Sequence, residues 1–215
     1  MIISPGRRYV FVHIPKTGGT ALSLALEARA MKDDILIGDT PKARRRRGRL
    51  ATLNAAGRVW KHATLADIDG VLPPDVLADC LVFTLVRNPW DRMVSYYHWL
   101  RTQRFDHPAT HLARTLGFSD FLNHPATGRT FRAAPYEAYT RAADGTQRAD
   151  LYLRLEHLDT DLPRLEAHLG FALHPLPHVN RSERRRDYRG YYSDEDAAVL
   201  ARMCAADIAR FGYRF

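Results

Sequence analysis

Lys16 is a single cation set among small residues, with Pro15 before it and Thr17, Gly18, Gly19 and Thr20 after it. Adjacent glycines let a backbone close on an anion without a Cβ in the way, and a lysine adds a mobile point charge. That combination suits a phosphate. A second cation, Arg87, precedes Asn88, Pro89, Trp90 and Asp91, with Ser95 further on. An arginine's planar fork donates two parallel hydrogen bonds to phosphate oxygens. A proton acceptor working near neutral pH is most simply a histidine, and of ten histidines His62, in the run Val59-Trp60-Lys61-His62, stands out. His13 reads as a structural residue beside the loop and His98 as packing or substrate wall. Each feature has a plainer alternative: a Gly-Gly turn with a surface lysine, a helix cap with a surface Arg–Asp pair, a histidine packed at a strand edge.

The elements that must position these groups are legible as patterns. Tyr9 to Ile14 is β-branched and aromatic up to the breaker Pro15, and Ala21 to Glu27 is a good helix former. Strand, loop and helix N-terminus then point backbone N–H groups and the positive end of a helix dipole at one spot. Cys80 to Val86 is an almost unbroken apolar run, as in a strand buried on both faces of a parallel sheet. It runs into Arg87, after which Asn88 suits an N-cap, Pro89 the first helical position and Asp91 the first turn. Strands are expected near 8–14, 34–37, 58–62, 80–86 and 150–155. Helices are expected near 20–31, 64–79 (broken by Pro73 and Pro74), 89–102, 109–123, 132–143, 159–169 and 193–211. This alternation argues a three-layer α/β fold around a mainly parallel central sheet, with ligands at the strands' carboxyl ends. His62, read as a strand end, would share that rim with Lys16 and Arg87.

The order of residues in the first loop excludes the commonest phosphate loop, Gly-x-x-x-x-Gly-Lys-[Ser/Thr], because here the lysine precedes the glycines. The string Ile14-Pro15-Lys16-Thr17-Gly18-Gly19-Thr20 instead resembles the 5′-phosphosulfate loop of sulfotransferases, which use 3′-phosphoadenosine 5′-phosphosulfate (PAPS) as donor. Arg87-Asn88-Pro89-Trp90-Asp91-Arg92 followed by Ser95-Tyr96-Tyr97 resembles the family's 3′-phosphate segment. Leu153 to Asp161 and the tail from His178 to Phe215 also look like this family, closest to its Golgi-type carbohydrate branch and soluble bacterial relatives. The resemblance implies a P-loop-like sulfotransferase fold in a single domain over 1–215. It implies that Lys16, Thr17, Gly18, Gly19, Thr20 and Ala21 bind the donor's 5′ end, and that Arg87 and Ser95 grip its 3′-phosphate. Among Arg184, Arg185 and Arg186 the donor contact is assigned to Arg185. Lys-His-Ala-Thr at 61–64 resembles the place where relatives put a catalytic histidine, so Lys16 and His62 are the expected catalytic pair. The reaction implied is sulfuryl transfer to a hydroxyl or amine of a carbohydrate or small-molecule acceptor, without metal, leaving 3′-phosphoadenosine 5′-phosphate (PAP). The alternative is a nucleotide-binding protein, or a kinase-like phosphotransferase with an atypical phosphate loop.

Composition bounds the rest. At 215 residues and 46% hydrophobic the chain is long enough for one sizeable core. No apolar run is long enough to span a membrane and the first residues lack a signal-peptide pattern, so a cytoplasmic enzyme is expected. Two cysteines, Cys80 and Cys204, without framework or metal spacing read as buried thiols. A net charge of +8 includes the run Lys42 to Arg49, expected as a solvated or partly disordered loop, with capture of an anionic acceptor as its functional alternative. Nucleic-acid binding is not expected, since no reading motif accompanies the charge.

Overall fold

A computed structural model describes residues 1–177, 184–185 and 187–215. His178 to Ser182 and Arg186, part of the tail resemblance, lie outside the described residues. The described chain forms two compact units, 1–86 with 136–180 and 87–135 with 181–215.

The first unit is built on a five-stranded sheet of β1 (Ile2–Ser4), β2 (Tyr9–Val12), β3 (Ile35–Leu36), β4 (Leu81–Val86) and β5 (Leu151–Arg154), in the order β3-β1-β2-β4-β5. β2, β4 and β5 are parallel, with Phe11 opposite Phe83 and Phe83 opposite Leu151, while β1 runs antiparallel to both neighbours. The sheet is mixed and mainly parallel. Side chains alternate between two buried faces. Tyr9, Phe11, Phe83, Leu85 and Leu153 meet Leu22 and Leu26 of α1 (Gly19–Ala28). On the same face lie Leu162, Leu165 and Leu169 of a later helix over Leu158–Leu169. Val10, Val12 and Val82 meet Ala63, Leu65 and Ile68 on the opposite face. Burial on both faces explains why β4 is apolar almost throughout.

Three of the differences from expectation in this unit bear on the site. β1 is additional: Pro5 and Gly6 turn the chain so that Ile2 pairs with Phe11, a punctuation signal that marks a hairpin. The expected strand at 58–62 does not form. Its backbone finds no ladder partner, and the Ala63 N–H instead closes a turn onto Trp60 O at 3.0 Å. The basic run is ordered as α2 (Pro41–Arg46) and a 3₁₀ turn over Arg47–Thr52. Thr40 caps α2 by accepting the Ala43 N–H, and its hydroxyl donates to Glu27 Oε2 at 2.6 Å. Lys42 donates to Glu27 O, Arg46 to Met31 O and Asp34 O, and Arg49 to Lys32 O. Half the run therefore supplies hydrogen bonds to carbonyls at and beyond the end of α1.

The second unit is helical: α3 (Pro74–Ala78) belongs to the sheet unit, and here α4 (Pro89–Thr102), α5 (Pro108–Thr115), α6 (Phe118–Asn123) and α7 (Pro125–Ala133) follow. After α8 (Tyr136–Tyr139) and α9 (Leu158–Leu169) of the first unit, α10 (Asp194–Met203) and α11 (Ala205–Phe211) complete the second. The helix expected at 132–143 is replaced by α7, ended before Pro135, and α8. Trp90, Met93, Tyr97, Phe121, Leu122 and Leu200 form this unit's own core. No helix among the described residues is long and apolar enough to cross a membrane.

Candidate functional site

The first loop leaves β2 through His13 and enters α1 at Gly19. Lys16 has φ 66° and Gly18 φ 89°, so two alternate residues sit in the left-handed region. For a lysine that conformation costs about 1–3 kcal/mol, and such strain gathers at ligand-binding turns. Thr17 is buried, its hydroxyl donating to Ile14 O at 2.9 Å, which closes the loop on itself. The side chain of Thr17 is thereby committed inward, while Thr20 and Ala21 begin the helix, the Ala21 N–H donating to Gly18 O at 3.1 Å. The two glycines are needed for different reasons. Gly18 has the positive φ, and its Cβ would also meet Leu155 Cδ1 at 2.8 Å; at Gly19 a Cβ would sit 2.5 Å from His13 Nε2. The first turn of α1 carries no acidic residue and no side-chain cap. The positive end of its dipole thus meets no carboxylate of the helix's own and favours an anion.

His62 sits beside this loop although no strand carries it. Its Nδ1 lies 2.7 Å from His13 O, and a carbonyl only accepts, so Nδ1 bears the hydrogen. In the neutral ring Nε2 then holds a free lone pair. Burial draws the His62 pKa down to about 4, which keeps the ring neutral at physiological pH. A half-buried ring that is neutral, with Nε2 unprotonated, can act as a proton acceptor. The His13 ring, buried and held well below the ordinary histidine range by burial, meets His62 edge-on with centroids 4.9 Å apart. Trp60 meets the other end of this series, 5.3 Å from His62, and stays 40% exposed with the Arg58 guanidinium 5.0 Å above it.

In the second unit Arg87, Asp91 and Ser95 lie together at the start of α4. Asn88 caps the helix by accepting the Trp90 N–H at 3.0 Å, with Pro89 at its first position. Arg87 donates through Nε at 2.9 Å and Nη2 at 2.6 Å to Asp91 Oδ2. Arg184 Nη2 donates to the other oxygen, Asp91 Oδ1, at 2.6 Å. One carboxylate thus serves two guanidiniums in a group whose side chains are only 12–18% exposed. Among the described residues Arg184 Nη1 is buried with no hydrogen-bond partner. A buried donor without a partner is expensive, about 1–3 kcal/mol and more for a charged group, so this geometry fits an anion. Ser95, one turn beyond Asp91, is buried on the same face.

A family profile described as "Sulfotransferase family" matches residues 1–214. The chain belongs to the sulfotransferase family. Among solved structures it is similar to mouse sulfotransferase SULT7A1 complexed with PAP, at 18% identity over 96% of this chain and 67% of that one, TM-score 0.37. It is also similar to retinol dehydratase in complex with androsterone and inactive cofactor PAP, at 15% identity over 99% of this chain and 83% of that one, TM-score 0.51. The latter likeness supports the fold. No curated protein sequence matches the chain.

For this family member the tail arginines 184 and 185 occupy different environments. Arg184 enters the Asp91 group, whereas Arg185 is exposed and its backbone N–H donates to the Tyr191 hydroxyl at 3.1 Å. Sequence reasoning could not choose between neighbours whose spacing to Asp91 is set by tertiary structure. It also missed what holds the N-terminus of α4. Asn88 Nδ2 donates to Arg214 O at 2.9 Å, Trp90 Nε1 to Ala197 O at 3.0 Å, and the Tyr192 hydroxyl to Trp90 O at 2.8 Å.

Proposed function

We propose that this chain transfers the sulfuryl group of PAPS to a hydroxyl of a carbohydrate or other hydroxylated acceptor, as one domain over 1–215. The observation that carries this reading is the pairing of an anion-ready loop, Lys16 to Thr20, with the neutral imidazole of His62 beside it, its Nδ1–H held by His13 O. Lys16 and the backbone N–H groups of Gly18, Gly19 and Thr20 hold the donor's 5′ end and stabilise charge that develops on the leaving phosphate. Thr17 contributes through its backbone, since its hydroxyl is engaged with Ile14. Arg87, Ser95 and Arg184 take the 3′-phosphate, the guanidiniums supplying charge-assisted hydrogen bonds.

His62 Nε2 accepts the acceptor hydroxyl's proton as the oxygen attacks sulfur. The S–O bond to the leaving phosphate breaks in line with the new one, so the sulfuryl group moves to the acceptor and PAP departs. Most of the acceleration then comes from positioning and charge stabilisation, as in phosphoryl transfer.

The test pairs binding with turnover. PAP without metal should raise the melting temperature by more than adenosine 5′-monophosphate does, and ATP with Mg²⁺ should not exceed PAP. Labelled PAPS should pass its label to a member of a panel of saccharide and phenolic acceptors. Equal shifts with PAP and the monophosphate, and no labelled product, would defeat the proposal.

A further inference from the structure

His13 follows the last residue of β2 and is 4% exposed, and three groups wall in its ring. Phe11 stacks on it at 5.7 Å and 23°, His62 meets it edge-on at 4.9 Å, and Gly19 presses against Cδ2 and Nε2 so closely that no Cβ fits between them. The backbone carbonyl of the same residue receives the His62 Nδ1–H at 2.7 Å. One residue therefore touches both the first turn of α1 and the imidazole of His62. Its ring cannot shift without moving one of them, because protein interiors are close-packed.

We infer that His13 is a positioning residue whose ring sets the separation between the phosphate loop and His62. This rests on the reading of His62 as the proton acceptor. An in-line displacement requires the attacking oxygen at a fixed distance from the donor's sulfur. The loop places the donor, His62 places the hydroxyl, and the His13 ring is the solid spacer between them. A misplacement of about 1 Å can cost on the order of 10²-fold in rate. The glycine at 19 follows from the same arrangement: the ring occupies the volume that a side chain there would need.

A double-mutant cycle tests the contact. Native protein, His13→Ala, Gly19→Ala and the double variant are compared for PAP affinity, melting temperature and turnover. Gly19→Ala alone should weaken PAP at least tenfold, because its Cβ drives into the ring, and adding His13→Ala should restore most of that affinity. His13→Ala alone should keep PAP affinity within a few-fold while kcat falls on the order of 10² and acceptor KM changes little. The pH titration of His62, followed by NMR, should move upward in His13→Ala as water reaches the ring, with Lys61, Asp39 and the Met1 amino group the other charges facing it. Should His13→Ala fail to fold, His13→Val takes its place, being suited to a strand end and lacking the ring atoms that face Gly19.

Independent, additive losses of PAP affinity would show that the ring does not wall Gly19. Native kcat with an unmoved His62 titration would show that it does not hold the base. Either result overturns the inference. If native protein neither binds PAP nor transfers sulfuryl groups, the functional reading fails instead, while the cycle in melting temperature still reports the contact.

Discussion

Asp91 and Arg184 lie 93 positions apart and meet at 2.6 Å, so the carboxylate that begins α4 holds a guanidinium from the C-terminal segment as well as its own neighbour Arg87. Asp91 thereby fixes two cations before any phosphate arrives. On the proposed reading Arg184→Ala lowers PAP affinity by ten- to a hundredfold, the loss of a charge-assisted hydrogen bond of about 1.5–3 kcal/mol. The same change leaves adenosine 5′-monophosphate nearly unaffected, because the 3′-phosphate is what Arg184 binds. Calorimetric titration with the two nucleotides checks this, and Arg185→Ala, at an exposed position, serves as the comparison.

His62 carries a distinct pH signature. Its pKa is drawn down to about 4 from an ordinary value of 6.5 by burial, so the folded state favours the neutral ring. Between those values the unfolded chain binds more protons. The stability this group contributes is therefore fully present above about 6.5 and is lost as pH falls towards about 4, amounting to at most about 3 kcal/mol. Melting curves of native and His62→Gln protein should diverge at pH 7 and converge near pH 4. Turnover in His62→Ala should fall by roughly 10²–10⁴ while the PAP-induced melting shift persists. Lys16→Ala should reduce both.

Trp60 is the exposed neighbour of His62. If the acceptor rests against this indole, Trp60→Ala raises acceptor KM at least tenfold without changing the PAP melting shift, and Trp60→Phe recovers most of the loss. Steady-state kinetics on the best acceptor of the panel decide it.

The basic helix should separate into two groups of cations. Lys42 and Arg46 donate to carbonyls near the end of α1, so alanine at either lowers stability by about 1 kcal/mol each. Arg44 and Arg45 are exposed, and alanine there should stay within about 0.5 kcal/mol of native. An anionic acceptor would reveal itself in a higher KM and a flatter salt dependence of the Arg44→Ala, Arg45→Ala double variant.

Both cysteines are buried and free, and burial pushes the Cys204 thiol up to about 12 and the Cys80 thiol upward as well. Since the thiolate is the reactive form, Ellman's reagent at pH 8 should label neither in native protein and both in guanidinium chloride.

What the sequence determined by itself is local. The loop between β2 and α1, the cap formed by Asn88 and Pro89, the doubly buried β4, the Ser193 cap of α10 and the αL stop at Gly170 all follow from residue types within a few positions of one another. Chain sterics, capping and hydrophobic period act over that range, so a single reading of the chain captures them. The rest depended on contacts between distant segments. His62 is held by a carbonyl 49 positions away and not by a strand, because Val59 to Lys61 found no edge to pair with. Gly19 owes its identity to a ring on His13, across a loop whose closure no local pattern records. Arg184, and not its exposed neighbour, meets Asp91, since which of two adjacent side chains turns inward is decided by the burial of the whole segment. The basic run became a helix because carbonyls beyond α1 needed donors, and only the folded chain brought them within reach.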